Sequence, residues 1–187
     1  MEKLLKDITA CQICKATLPN QPKPIIALSE HSKILIIGQA PGRVVHNTEI
    51  AWNDASGNEL RRWLGVNRKQ FYNTEFFATM PMGFCYPGTG KNGDLPPKKE
   101  CAPTWHDLLL NKMKNIELTL LIGSYAQKHY LKSKKNLTEN VKNFEQHFPS
   151  VLALPHPSPR NRLWQKKNPW FELDIVPLLQ ARVQEII

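Results

Sequence analysis

The chain has 187 residues, 41% of them hydrophobic and 22% charged, enough to bury a substantial core and most simply one domain spanning residues 1–187. The opening MEKLLKDITACQIC lacks the apolar run of a secretory leader, and no later segment reaches membrane-spanning length, so a soluble, cytoplasmic protein is expected. A net charge of +9 and a pI near 9.5 favour a polyanionic partner, nucleic acid foremost, and without a spanning segment no membrane partner is expected.

Taken in chain order, the first marked feature is a CxxC, Cys11 and Cys14. "SKILIIGQAPG" then reads as a short buried strand, Ile34–Ile37, running into a Gly/Pro turn. "SGNELRRWLGV" spaces Leu60, Trp63 and Leu64 for one helix face, with Ser56 as N-cap and Glu59 three residues on. "FYNTEFFATMPM" is a second strand candidate, followed by "CYPGTGKNGDLPPKKEC", a Pro- and Gly-rich loop between Cys85 and Cys101. "CAPTWHDLLLNKM" resumes helical periodicity, with Pro103 suited to a first turn. "LTLLIGSYAQKHYL" reads as strand, glycine turn and helix. "VLALPHPSPR" is a last strand entering a stiff loop in which Pro155, Pro157 and Pro159 forbid a helix, and "WFELDIVPLLQARVQEII" is a C-terminal amphipathic helix. Strands alternating with helices imply an α/β sandwich with a mostly parallel sheet. Ligands of such sheets lie beyond the carboxyl ends of the strands, the edge where GQAPG and HPSPR both fall.

The four cysteines are not expected to form disulfides in a reducing compartment. Two loop-borne pairs suit thiolate coordination of either zinc or an iron–sulfur cluster; unconnected thiols are the plainer reading.

GQAPG after one apolar strand and HPSP after a later one resemble, in that order, the two signature motifs of the uracil-DNA glycosylase superfamily. A CxxC ahead of the first motif and a wide cysteine pair between the two resemble its iron–sulfur branch, known from thermophiles. The resemblance covers most of the chain, from about Cys11 to the C-terminus. It implies a three-layer α/β/α sandwich with a central, four-stranded, mostly parallel sheet. It also implies an enzyme that excises a damaged base, chiefly uracil, from DNA by hydrolysing the N-glycosidic bond; a monomer is expected. The preference for a 4Fe–4S cluster over structural zinc at Cys11, Cys14, Cys85 and Cys101 comes from this resemblance alone.

Such chemistry requires a base turned out of the stack, a donor for the charge that develops on it, and a carboxylate or activated water near the sugar. His156 matches the histidine of the second motif, which donates to the leaving base. Motif one departs from the better-known branches. The Asp of one stands where this chain has Ala40, and the Glu of another where it has Gln39. A third branch also has Ala there, and its catalytic aspartate matches Asp54 in "NDASG"; Asp54 reads otherwise as a helix-cap residue. The Gln39 and Ala40 amides are placed against the base, with Gly38, Pro41 and Gly42 shaping the close approach. Trp52 is either a stacking platform for the base or a core residue. His46 is a rim candidate, and the family's base-reading Asn has no clear counterpart, Asn73 and Glu75 being the nearest. Beyond HPSP, Arg160 replaces an apolar wedge; Ser158, Arg160, Arg162, Lys166 and Lys167 form the expected DNA contact, with Trp164 and Trp170 near it or in the core. The alternative reading is a non-catalytic DNA-binding or damage-recognition module on the same fold, its motif-one acid lost.

Overall fold

The computed structural model describes residues 1–91 and 93–187. In chain order the strands are β1 (Ile34–Ile37), β2 (Phe77–Thr79), β3 (Thr89–Gly90), β4 (Gly93–Asp94), β5 (Leu118–Ile122) and β6 (Val151–Leu154). The helices are α1 (Glu2–Thr9), α2 (Arg43–Thr48), α3 (Ala55–Leu64), α4 (Arg68–Phe71), α5 (Asp107–Leu110), α6 (Gly123–Leu131), α7 (Leu137–Lys142), α8 (Arg162–Lys167) and α9 (Val176–Ile186). None of the described helices is long and apolar enough to cross a membrane.

The apolar run of β1 has no polar alternation because both faces of the sheet are covered. Ile34 and Ile36 pack with Leu60, Trp63 and Leu64 of α3 and with Leu179 and Val183 of α9. Leu35 and Ile37 point the other way, into a second core with Ile8 of α1, Leu109 of α5 and Ala126 of α6. Helices therefore sandwich the sheet, and each fully buried Ile or Leu contributes about 1.5–3 kcal/mol. The sheet has four strands in the order β2-β1-β5-β6, every neighbouring pair parallel, with Ile34 in register with both Phe77 and Leu118. The expected α/β sandwich is thus observed, and its sheet is wholly parallel. The chain leaves β1 for β2 on one side and then returns to β5 on the other, so a crevice opens at the carboxyl ends of β1 and β5.

Two local expectations need correction. Asp54, not Ser56, caps α3: its Oδ1 accepts the Gly57 N–H at 2.8 Å, while Ser56 is buried inside the first turn. The second strand is also shorter than "FYNTEFFATMPM" suggests. Asn67 and Gln70 form a capping box that starts α4, and Asn73 Oδ1 accepts the Glu75 N–H to close a turn. The ladder starts only at Phe77.

Candidate active site

A cleft of about 720 Å³ lies at that crevice. Its walls come from the loop after β1, residues 51–56, the end of β2, the β3–β4 hairpin and the loop after β6. Both motifs named from the sequence meet there.

The first motif is fixed by backbone pairing. Gly38 O accepts from Met82 N at 2.9 Å and Gln39 O from Gly83 N at 3.0 Å, extending the sheet past its last residue. The N–H groups of Gln39 and Ala40 have no hydrogen-bond partner among the described residues, and both residues line the cleft with Pro41 and Gly42. They are donors placed where negative charge could be received. Gly38 is required by a close approach: a Cβ there would stand 2.9 Å from Trp52 Cζ2.

Trp52 adopts the left-handed backbone region, φ 56°, a conformation that costs a non-glycine residue roughly 1–2 kcal/mol. Its surroundings hold it there. Arg61, buried in α3 against the Phe71 and Tyr72 rings, donates to Trp52 O at 3.3 Å and to Asn58 Oδ1 at 2.6 Å. Gly57 passes so close that a Cβ would lie 1.7 Å from Trp52 O, which accounts for the glycine in "NDASG". The indole is half-buried, touches the core with one side and lines the cleft with the other, 6.0 Å from the His156 ring. Asp54 follows at the cleft wall with one carboxylate oxygen engaged in the α3 cap.

His156 stands on the loop after β6. The Ser158 N–H donates to its Nδ1 at 3.2 Å, and Asn161 Nδ2 donates to its carbonyl at 3.1 Å. A ring whose Nδ1 accepts carries its proton on Nε2 when neutral. Burial lowers the imidazole below its ordinary pKa, outweighing the nearby Asp54 and Asp94 charges that act to raise it. The residue is therefore a neutral Nε2–H donor on a proline-stiffened loop.

Five polar cleft residues escaped the sequence reading: Arg43, Thr79, Thr89, Asp94 and Asn161. Thr79 follows from its place at the carboxyl end of β2. Asp94 sits in an irregular loop with no periodicity to reveal it. Asn73 and Glu75 precede β2 and so occupy the opposite end of the sheet, and His46 is not in the cleft wall but packs against Tyr86 at 5.6 Å.

Ser158 and Arg160 line the cleft mouth, where Ser158 Oγ accepts the Arg160 N–H at 3.3 Å. Arg162, Lys166 and Lys167 lie outside it, exposed on α8, and the Arg162 charge helps to hold the Glu59 carboxyl down after the larger effect of Arg62. Trp164 and Trp170 pack edge to face at 5.9 Å against the core, and Trp164 Nε1 donates to Thr138 Oγ1 at 2.8 Å.

Away from the cleft, Cys11, Cys14, Cys85 and Cys101 line one small recess of about 10 Å³ with Phe84 and Trp105. None forms a disulfide. Lys98 Nζ donates to Thr17 O at 2.7 Å, joining the loop to the CxxC turn. Burial raises the Cys85 thiol to about 11 and the Cys101 thiol to about 12, with the neighbouring cysteines adding to it. Cys14 is also raised, by burial and then by Glu100, whose Oε2 accepts from its Sγ at 3.9 Å. Among the described residues no group of three or more His, Cys, Asp or Glu is gathered as a metal-ion site. A single tetrahedral zinc would need its sulfurs about 3.8 Å apart. An all-thiolate donor set is one that zinc and an iron–sulfur cluster both accept.

A family model described as the Uracil DNA glycosylase superfamily matches residues 26–180, a span that includes both motif loops and all four sheet strands and begins after the CxxC. With that match over most of its length, and with the wholly parallel sheet presenting GQAPG and HPSP to one cleft, the chain belongs to the uracil-DNA glycosylase superfamily.

Proposed function

We propose that this DNA-glycosylase-like enzyme, acting as one domain over residues 1–187, excises uracil or a related deaminated base from DNA. The observation that carries the reading is the Ser158 N–H on His156 Nδ1, which dedicates Nε2–H to donation into the cleft. The target nucleotide leaves the stack and its base enters beside Trp52, where a π surface accepts any base face. As the bond between C1′ and the base nitrogen breaks, negative charge builds on the base oxygen nearest His156, and Nε2–H meets it. The Gln39 and Ala40 amides offer further donors. Asp54, held by the α3 cap, supplies fixed negative charge for the sugar cation or orients water toward it. Arg160 fills or braces the vacated stack, and Ser158, Arg162, Lys166 and Lys167 meet the backbone.

The four cysteines are assigned to a 4Fe–4S cluster, as in the iron–sulfur branch, with zinc the alternative. The group would cross-link the N-terminal turn to the 85–101 loop and supply no chemistry to base excision.

The test is base release from uracil-containing single- and double-stranded oligonucleotides by wild type, His156→Ala and Asp54→Ala. Abasic sites from wild type, with release reduced about 100- to 1000-fold by His156→Ala, are expected. Full activity in both variants would refute the catalytic pair. Salt-dependent binding without release from any deaminated base would favour the binding module, for which the loss of motif-one carboxylates at Gln39 and Ala40 is the argument.

A further inference from the structure

Motif one carries no acid, yet the cleft has a second carboxylate beside Asp54. Asp94 belongs to β4, on the loop between Cys85 and Cys101, far in sequence from either motif. The hairpin folds back onto motif one. Gln39 Nε2 donates to Leu95 O at 3.0 Å, and a Cβ on Gly42 would stand 3.3 Å from Asp94 Oδ2. From the other side Arg160 reaches over the same hairpin, its Nη1 2.7 Å from where a Gly93 Cβ would be. The carboxylate thus sits against Gly42, two residues past Ala40 in motif one, and its charge is felt at His156.

We propose that Asp94 is the water-activating carboxylate of this enzyme, replacing in space the acid that motif one lacks in sequence; the assignment rests on the glycosylase reading above. The division of labour follows from surroundings. Asp54 has one oxygen bound to the Gly57 N–H, so it is a fixed charge for the sugar cation. Asp94 is exposed at the solvent side of the cleft, where a proton taken from water can pass to bulk. In the step, the water oxygen bonds to C1′ as the bond from C1′ to the base nitrogen breaks, both electrons of that bond leaving with the base. The water proton goes to the Asp94 carboxylate and on to solvent. The base anion, held by His156 Nε2–H, takes up one proton from solvent as it departs.

The experiment measures single-turnover base release by wild type, His156→Ala, Asp94→Asn and Asp94→Asn combined with Ala40→Asp, across uracil, hypoxanthine and xanthine substrates. Affinity for an uncleavable abasic-analogue duplex is measured alongside. Asp94→Asn is expected to lower release about 100-fold or more with duplex affinity within about threefold, because a positioned base contributes about 10²–10⁴. Restoring an acid at motif one with Ala40→Asp is expected to recover at least tenfold of that loss. Release by Asp94→Asn within about threefold of wild type, while His156→Ala is impaired, would overturn Asp94 alone. A changed base preference with no loss of rate would likewise overturn the water-activating role. Absence of release by wild type from every substrate would overturn the glycosylase reading and this assignment together.

Discussion

At the scale of single residues, two histidines are held neutral by burial. His156 also receives a backbone N–H on Nδ1 at the cleft, while His106 lies fully buried. His106 Nε2 donates to Pro81 O at 3.1 Å, so Nδ1 accepts from Tyr130 Oη at 2.6 Å, and the ring props a cleft-lining residue from below. Burial pushes His106 down to about 4. With an unfolded value near 6.5, the unfolded chain binds more protons between the two values, so stability rises with pH from about 4 to about 6.5 and is flat above. His156 adds to the slope in the same direction. Urea midpoints across that window should fall with acidification, and His106→Gln should remove up to about 1.4 kcal/mol per pH unit of the dependence. An unchanged pH profile in the variant would show that His106 takes up no proton on unfolding.

Among the elements, α8 follows directly on the cleft-lining loop of residues 156–161, while the β3–β4 hairpin lines the cleft itself. The exposed Lys166 and Lys167 at the end of α8 are expected to meet phosphate, each ion pair releasing counterions. Replacing both by alanine should flatten the plot of log affinity against log salt by roughly 0.9 for every phosphate no longer neutralised, measured on an uncleavable duplex. An unaltered slope would place them away from the DNA. What the sequence disclosed here, and what it did not, follows from the range of each signal. The strands β1, β5 and β6 and helices α3, α6 and α9 announce themselves through apolar runs or periodicity, which are local. The second motif was legible because prolines stiffen it without help. Asp54 was legible as a candidate, but its cap bond to Gly57 displaced the expected Ser56 cap, since two good capping residues stood two positions apart. The meeting of Asp94 with Gly42 was not legible at all, because it depends on where an irregular loop lands.

For the whole molecule, the 85–101 loop is the part least explained by the sheet. It is anchored by the Lys98–Thr17 bond, by Ile25 N donating to Phe84 O at 2.8 Å, and by its two cysteines in the recess shared with the CxxC. Cys85→Ser should lower iron or zinc content, measured by elemental analysis, and shift the thermal midpoint down by several degrees. Base release at low temperature should be reduced but not abolished, since His156 and Asp54 belong to other loops and only Asp94 rides on this one, held there also by the Gln39–Leu95 bond. Complete loss of release in a variant that still melts cooperatively would overturn a purely structural role for that corner.

The β3–β4 ladder is two residues long on each side, too short to persist by itself. Its seating on Gly42 therefore depends on bonds outside the ladder, Gln39 Nε2 to Leu95 O and Leu95 N to Gly88 O among them. If Asp94 is the water-activating carboxylate, turnover requires the hairpin to be seated. A hairpin seated one-tenth of the time would give about one-tenth of the seated rate with the barrier itself unaltered. Individual molecules watched on DNA would then alternate between working and idle spells, and any loosening of the moorings would lengthen the idle ones.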